Sequence, residues 1–225
     1  MGELLVRAEG LARVFGDGPA AVTALAEATF DIEAADRIAV VGPSGSGKST
    51  LLHLIAGLDR PTAGTIEWPG IGPFGALRPG PVSFAFQGPS LLPPLTVLEN
   101  VELPVLLAGG TEQEATRAAA ELIERLELTP VADKLPEELS GGQSQRAGAA
   151  RALVGTPRLI LADEPTGQQD RTSGQRVLDV ILERAEATGA GLLVATHDRA
   201  VYERLDRRWT LVDRRLERGV VVRSA

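Results

Sequence analysis

The chain has 225 residues, 44% of them hydrophobic, with no cysteine and a formal net charge of −7. That length suits one sizeable domain or a core carrying a small subdomain; the absence of cysteine excludes disulfides and thiolate metal sites, and the acidic balance argues against nucleic acid or anionic lipid as the main partner. No apolar run reaches the ~18 residues that cross a bilayer, and the amino terminus, "MGELLVRAEGLARVFGDG", lacks the basic flank and apolar stretch of a signal peptide.

Alternation in "LLVRAEGLARVF" and the apolar-rich "VTALAEATFDIE" predict an opening antiparallel section of short strands. "RIAVVG" is a continuous apolar run ending at glycine, as expected of a buried strand feeding a loop. Helical periodicity follows in "KSTLLHLIAGL" and stops at Gly57. The stretch "DRPTAGTIEWPGIGPFGALRPGP" is turn-rich, with one strand at "GTIEW", and "VSFAF" reads as another buried strand. From Thr96 to Val154 the character turns helical, in "TVLENVELPVLLAGG", "TEQEATRAAAELIERLEL" and "SGGQSQRAGAARALV", with Thr111 and Glu114 forming a capping box. Strand patterns return in "RLILAD" and "GLLVAT", on either side of the helix "RTSGQRVLDVILERAEATG", and the tail "RRWTLVDRRLERGVVV" reads as a β-hairpin. Strands alternating with helices imply an α/β fold, a mostly parallel sheet with helices on its faces. The helix-only stretch implies a lobe inserted between two of the strands. The expected division is a core of residues 1–87 and 155–225, including the antiparallel section, and a helical subdomain of residues 88–154.

The chemistry is concentrated in a few motifs. Gly42, Pro43, Ser44, Gly45, Ser46, Gly47, Lys48, Ser49 and Thr50 spell "GPSGSGKST", the G-x-x-x-x-G-K-[ST] phosphate loop, between a strand and a helix as that motif requires. Its glycines let backbone N–H groups converge on phosphate oxygens; Lys48 would reach the β- and γ-phosphates and the Ser49 hydroxyl would ligate Mg²⁺. Lys48 is one of only two lysines, the other being Lys134, in a chain that otherwise uses arginine. In "LILADEPT", Asp163 ends a buried strand, where parallel sheets bind ligands, and would hold Mg²⁺ directly or through water. Glu164, the next residue, would orient or deprotonate the water attacking the γ-phosphate. Alone, an Asp-Glu pair at a strand end is more often a cap or a surface pair; beside a phosphate loop the functional reading is preferred. His197, in "LLVATHDRA", sits at another strand end, suited to a γ-phosphate contact, although a lone histidine is usually structural. Gln87, ending "VSFAFQ", would reach the metal or the attacking water. His53 is read as a packed or exposed helix residue. The arginine-rich stretch "DRAVYERLDRRWTLVDRRLERG" is interleaved with acids and reads as a solvated mixed face.

A second helix start has the look of an anion site. In "LSGGQSQR", Ser140, Gly141, Gly142 and Gln143 open a helix with bare backbone N–H groups. Together, and in this order, the motifs resemble the nucleotide-binding subunit of ABC transporters over essentially the whole chain, "LSGGQ" being the signature of that family. The resemblance implies ATP and Mg²⁺ as ligands, an ATP-hydrolysing activity, and a head-to-tail homodimer or heterodimer in which the signature of one subunit closes on the ATP held by the other. It also implies a separate membrane permease as partner and a peripheral position on the cytoplasmic face of the cell membrane; the acidic balance adds that no nucleic acid is expected as partner. It assigns Phe15 to adenine stacking, the alternative being a packed strand residue, and Asp170 to the D-loop at the dimer seam. "GLDRPTAGTI", "LLPPLTVLENVELP", "LPEELSGGQSQR" and "LADEPTG" look most like the lipoprotein-releasing, macrolide-export and cell-division branch of that family. Two departures stand out. Gln169 occupies the usually apolar position before the D-loop aspartate, and "EAADR" replaces the usual Gly-Glu ahead of the phosphate-loop strand. The run from Leu91 to Leu95 is apolar beyond what a short connection needs and is a candidate docking surface for a permease helix, core packing being the alternative. A soluble ATPase of the same family acting on DNA or ribosomes would carry a coiled-coil insert or a second cassette, and neither is present. A nucleotide-gated scaffold signalling across the membrane uses the same ATP cycle and remains open.

Overall fold

Every strand pattern in the sequence becomes a strand of one nine-stranded sheet in the computed structural model, which describes residues 2–167 and 169–221. In chain order these are β1 (Leu4–Phe15), β2 (Val22–Glu33), β3 (Arg37–Val41), β4 (Ala63–Glu67), β5 (Val82–Ala85), β6 (Leu159–Asp163), β7 (Gly191–Thr196), β8 (Arg207–Val212) and β9 (Arg215–Val221). The helices are α1 (Lys48–Ile55), α2 (Val97–Leu107), α3 (Glu112–Arg125), α4 (Gly141–Leu153), α5 (Arg171–Thr188) and the single turn α6 (Arg199–Tyr202), which the sequence reading did not include. Val222, read from the sequence as part of the last strand, lies outside the described residues.

Across the sheet the strands run β4-β1-β2-β9-β8-β3-β7-β6-β5. β4, β1 and β2 are antiparallel, the section expected from the alternating amino-terminal pattern. β8, β3, β7, β6 and β5 are parallel to one another. The two regions meet where β9 folds back antiparallel on β8 and touches β2 through one parallel bridge, Ala26 to Arg215. The central strands are buried on both faces, which is why they read as unbroken apolar runs. Their alternate residues sort into two cores. Leu159, Leu161, Leu193 and Ala195 pack with α1 and the antiparallel section. Ile160, Ala162, Leu192 and Val194 pack with α4, α5 and the helical lobe in a second continuous apolar cluster.

The helix ends follow local rules. Thr96 caps α2 and Thr111 caps α3, each in a reciprocal capping box with the glutamate three residues on. Asp170 caps α5, accepting from the N–H groups of Thr172 and Ser173, and Gly189 ends that helix in the left-handed region. In "EAADR", Ala35 adopts a left-handed φ of 61°, the conformation for which glycine is the ordinary choice. Asp36 beside it accepts both short contacts of Arg207, at 2.7 and 2.8 Å. This topology brings the carboxyl ends of β3, β5, β6, β7 and β8 to one edge of the sheet, where the start of β2 also lies.

Candidate active site

At that edge is a cleft of about 620 Å³. It is lined by Pro43, Ser44, Gly45, Gly47, Lys48, Ser49 and Thr50 of the phosphate loop, by Gln87, Asp163, Glu164 and His197, and by Val22–Ala24 and Arg214. The loop curls because Gly47 has a φ of 101°, and a Cβ there would sit 2.2 Å from the Ala24 carbonyl oxygen. A Cβ on Gly42 would likewise meet the Leu211 carbonyl oxygen at 2.6 Å. Neither position admits a side chain without moving backbone. Ser46, behind the loop, is buried with a hydroxyl that has no partner among the described residues. Lys48 is itself buried, and its ammonium donates to the Gly42 and Pro43 carbonyls at 2.9 and 3.2 Å. A buried cation whose hydrogen bonds go to neutral carbonyls is poised for a stronger, anionic acceptor.

Asp163 ends β6 at 5% exposure, and its Oδ1 has no hydrogen-bond partner among the described residues. Burial raises its pKa above the ordinary carboxylate range, with the neighbouring Glu164 charge adding to that; the Ser49 hydroxyl, His53 and Lys48 act the other way. Glu164 is also buried, in a left-handed backbone conformation with φ 44°. That conformation is unusual for a side chain of this size, and it is held from several directions. The Glu164 N–H donates to Ala195 at 2.9 Å, and its carbonyl accepts from the Gln145 amide at 2.9 Å. Its carboxylate receives the Thr196 hydroxyl at 3.2 Å and lies 2.7 Å from Nδ1 of His197, whose ring is largely solvent-exposed. The carboxylate is thus held by a hydroxyl and an imidazole at the edge of the cleft.

Gln87 faces this group from a position two residues beyond the end of β5, one residue further out than the strand reading expected, and is exposed. Phe15 ends β1 and is 44% exposed; it pairs across the ladder with Val22 of the cleft wall, and the Arg13 guanidinium lies 4.4 Å from its ring centre. His53 packs its ring 5.2 Å from that of Phe84, as a helix-packing residue. The signature residues stand apart. Ser140, Gly141, Gly142 and Gln143 line no part of the cleft. Ser140 is exposed and caps α4 in a reciprocal box with Gln143, so Gly141 and Gly142 contribute the first N–H groups of that helix, which have no intrahelical acceptor. Asp170, capping α5, is also outside the cleft and has its pKa lowered by the bonds it accepts, chiefly from Ser173.

Two residues that hold Glu164 in place escaped the sequence. Thr196 carried a weak signal, as the polar end of an apolar strand. Gln145 carried none, because its partner Glu164 is remote in sequence and adjacent only in space. Gln145 also accounts for the departure at Gln169, whose amide donates to the Gln145 Oε1 at 3.2 Å and to the Pro165 carbonyl at 3.1 Å. A hydrocarbon side chain makes neither bond. Gln168, the other glutamine of that loop, lies outside the described residues.

Residues 25–167 match the ABC transporter family. Among curated proteins, the chain is 41% identical to the lipoprotein-releasing system ATP-binding protein LolD of Legionella pneumophila (strain Paris), covering 92% of this chain and 94% of that one. It is 40% identical to the protein of the same name from Hydrogenovibrio crunogenus, covering 95% and 96%. Among solved structures, it is similar to a dimeric, post-hydrolysis state of the ATP-binding cassette MJ0796 bound to ADP and Pi, with a TM-score of 0.90 and 34% identity over 98% of this chain and all of the other. The phosphate loop, the buried Asp163–Glu164 pair and the detached signature helix thus sit in a chain that belongs to the ABC transporter family, as an ATP-binding, ATP-hydrolysing subunit.

Proposed function

We propose that this subunit is a motor that pairs head to tail with a second cassette, so that each signature closes on the nucleotide bound by the other, and that drives a separate membrane permease from the cytoplasmic face. The observation that carries this reading is the placement of Ser140, Gly141 and Gly142. They offer backbone donors to an anion, yet lie outside the only phosphate-loop cleft of their own chain among the described residues. A second copy supplies the missing anion, and two-fold symmetry then builds two sites at once.

Within each site Lys48 binds the β- and γ-phosphates, Phe15 stacks on the base, and Glu164 takes the proton of the water that attacks the γ-phosphate. Thr196 and His197 hold the carboxylate in position, and His197 turns its exposed ring toward the same phosphate. The donor set suits Mg²⁺: an unpartnered buried carboxylate oxygen on Asp163 beside the Ser49 hydroxyl are hard oxygen ligands, with Gln87 across the cleft. When bound, that ion neutralises charge on the β- and γ-phosphates.

The permease reading is supported by an apolar groove of about 850 Å³ between the helical lobe and the core, lined in part by Leu58, Phe86, Leu92, Leu103 and Leu107. Leu91 is buried but Leu92 is 42% exposed, and the buried Asn100 braces the backbone of their loop. Asn100 accepts from the Leu92 N–H at 2.7 Å and donates to the carbonyls of Leu92 and Leu95 at 3.1 and 2.9 Å, which holds this segment in one shape. A short permease helix in that groove contacts both the Gln87 segment and the lobe that carries the signature, and moves with them as nucleotide binds and leaves. The relatives named for a lipoprotein-releasing system favour a permease of that kind. No helix among the described residues is long and apolar enough to cross a membrane.

The trans arrangement is tested with two variants. Ser140→Arg leaves ATP binding to the isolated subunit intact but eliminates hydrolysis, whereas Lys48→Ala abolishes ATP binding. A mixed dimer of the two regenerates one composite site, read as recovered phosphate release. Loss of ATP binding by the Ser140→Arg monomer would refute the trans arrangement.

A further inference from the structure

One cation in the cleft has no assigned task. Among the described residues the charged lining consists of Asp163 and Glu164 on one side and Lys48 and Arg214 on the other, with His197 beside the acids. Lys48 belongs to the phosphate loop; Arg214 does not. It is one of two residues, with Asp213, in the turn joining β8 to β9, and both are left-handed, with φ of 47° and 64°. Two such residues in succession make the tight turn for which Asp-Gly or Asn-Gly is the ordinary choice. Arginine at the second position is disfavoured by its Cβ, so the turn by itself does not call for it. The backbone there is well anchored, because the Ala26 N–H donates to the Arg214 carbonyl at 2.7 Å and Val212 pairs with Arg215 across the ladder. The neighbouring Arg215 pairs with Glu27 at 3.3 Å, whereas the Arg214 guanidinium has no hydrogen-bond or ion-pair partner among the described residues. An exposed, unpartnered guanidinium thus borders a phosphate-binding cleft, on a turn whose conformation disfavours it.

We propose that Arg214 is a nucleotide-binding residue that grips the α-phosphate end of bound ATP or ADP. The order of strands fixes which end. Along the sheet edge the lining runs from Gln87 after β5, through Asp163 and Glu164 after β6 and His197 after β7, to the phosphate loop after β3, then Arg214 after β8, and last Val22–Ala24 at the start of β2. The water-activating groups lie on the β5 to β7 side, so the γ-phosphate faces them. Phe15, paired with Val22, marks the base side. Arg214 stands between the loop and the base wall, beside the part of the nucleotide that ATP and ADP share. A planar guanidinium there gives charge-assisted hydrogen bonds to phosphate oxygens. It retains the nucleotide both before and after hydrolysis.

This inference rests on the nucleotide-cleft reading, and Arg214→Gly tests it in the full chain. Glycine adopts the left-handed turn freely, so the variant folds, and its melting temperature is unchanged or raised. Its dissociation constants for Mg-ATP and Mg-ADP both rise by about tenfold or more, the loss expected of one hydrogen-bonded charge. GTP binding weakens by the same factor, because the α-phosphate is common to both nucleotides, and the fall in kcat/KM is carried by KM. Arg214→Lys restores part of the affinity. Constants within twofold of wild type for ATP and ADP overturn the proposal. A loss confined to ATP overturns it in favour of a γ-phosphate contact, and a loss for ATP and ADP but not GTP overturns it in favour of a base contact. Lys48→Ala run alongside separates the two readings: if it also binds normally, the nucleotide cleft itself is misassigned, and if it alone fails to bind, only Arg214 is.

Discussion

Replacing Glu164 by glutamine tests the catalytic centre with little disturbance to the fold. Glu164 is 7% exposed, with one carboxylate oxygen 2.7 Å from the His197 Nδ1 and the other receiving the Thr196 hydroxyl at 3.2 Å. Glutamine has the same shape. Its oxygen still accepts from the His197 ring, and its amide donates to the Thr196 oxygen in the reverse sense. The backbone bonds to Ala195 and from Gln145, which hold the left-handed turn, do not involve the side chain. The change in stability should therefore be about 1 kcal/mol or less. Catalysis should respond differently, because an amide accepts no proton at neutral pH. A positioned general base contributes roughly 10²–10⁴ in rate, which is about 3–5 kcal/mol of barrier. Phosphate release under saturating Mg-ATP should fall by at least ~10², while nucleotide titration and thermal melting stay near wild type. With hydrolysis blocked, the proposed head-to-tail pairing keeps ATP at the seam, so sedimentation with ATP and Mg²⁺ should show a nucleotide-dependent dimer. Phosphate release within tenfold of wild type, in a variant that binds ATP normally, would refute the assignment of Glu164 as the base.

Leu92→Glu should fold and bind ATP normally, because that side chain lines the groove, but should fail to co-purify with the proposed permease; an unfolded variant would return Leu92 to the core. Asp163→Asn should abolish hydrolysis and change the pH dependence of stability in the nucleotide-free protein. The folded pKa of Asp163 lies above its unfolded value, chiefly through burial. The native state therefore binds its proton more tightly, and stability falls as pH rises through the window between the two values. Asparagine removes that titration, so the variant should be relatively more stable at neutral pH and above than at acid pH, measured by denaturant melts across the range. An unchanged pH profile would show that Asp163 does not titrate differently on folding.

Much of this molecule is local and was readable in its sequence. Periodicity of two or of unbroken apolar runs located the nine strands to within a residue or two, and the capping box at Thr111 and Glu114 depends on groups three residues apart. The phosphate loop is likewise contiguous, so its spacing alone carries its chemistry. The short helix α6 was missed because four residues are too few to establish a period. Other features join distant parts of the chain. Leu91 and Leu92 are chemically identical neighbours, yet one is buried and the other exposed, in a loop whose backbone is bonded to the buried Asn100. Thr196 and Gln145 meet Glu164 across three separate elements, in a backbone conformation no sequence pattern announces. Arg214 enters the nucleotide cleft because β8 and β9 lie between β2 and β3 in the sheet, an order set by long-range pairing. Side-chain periodicity and i, i+3 contacts are written along the chain; which strand edges pair, and which distant groups they bring to one cleft, is decided only when the two cores pack.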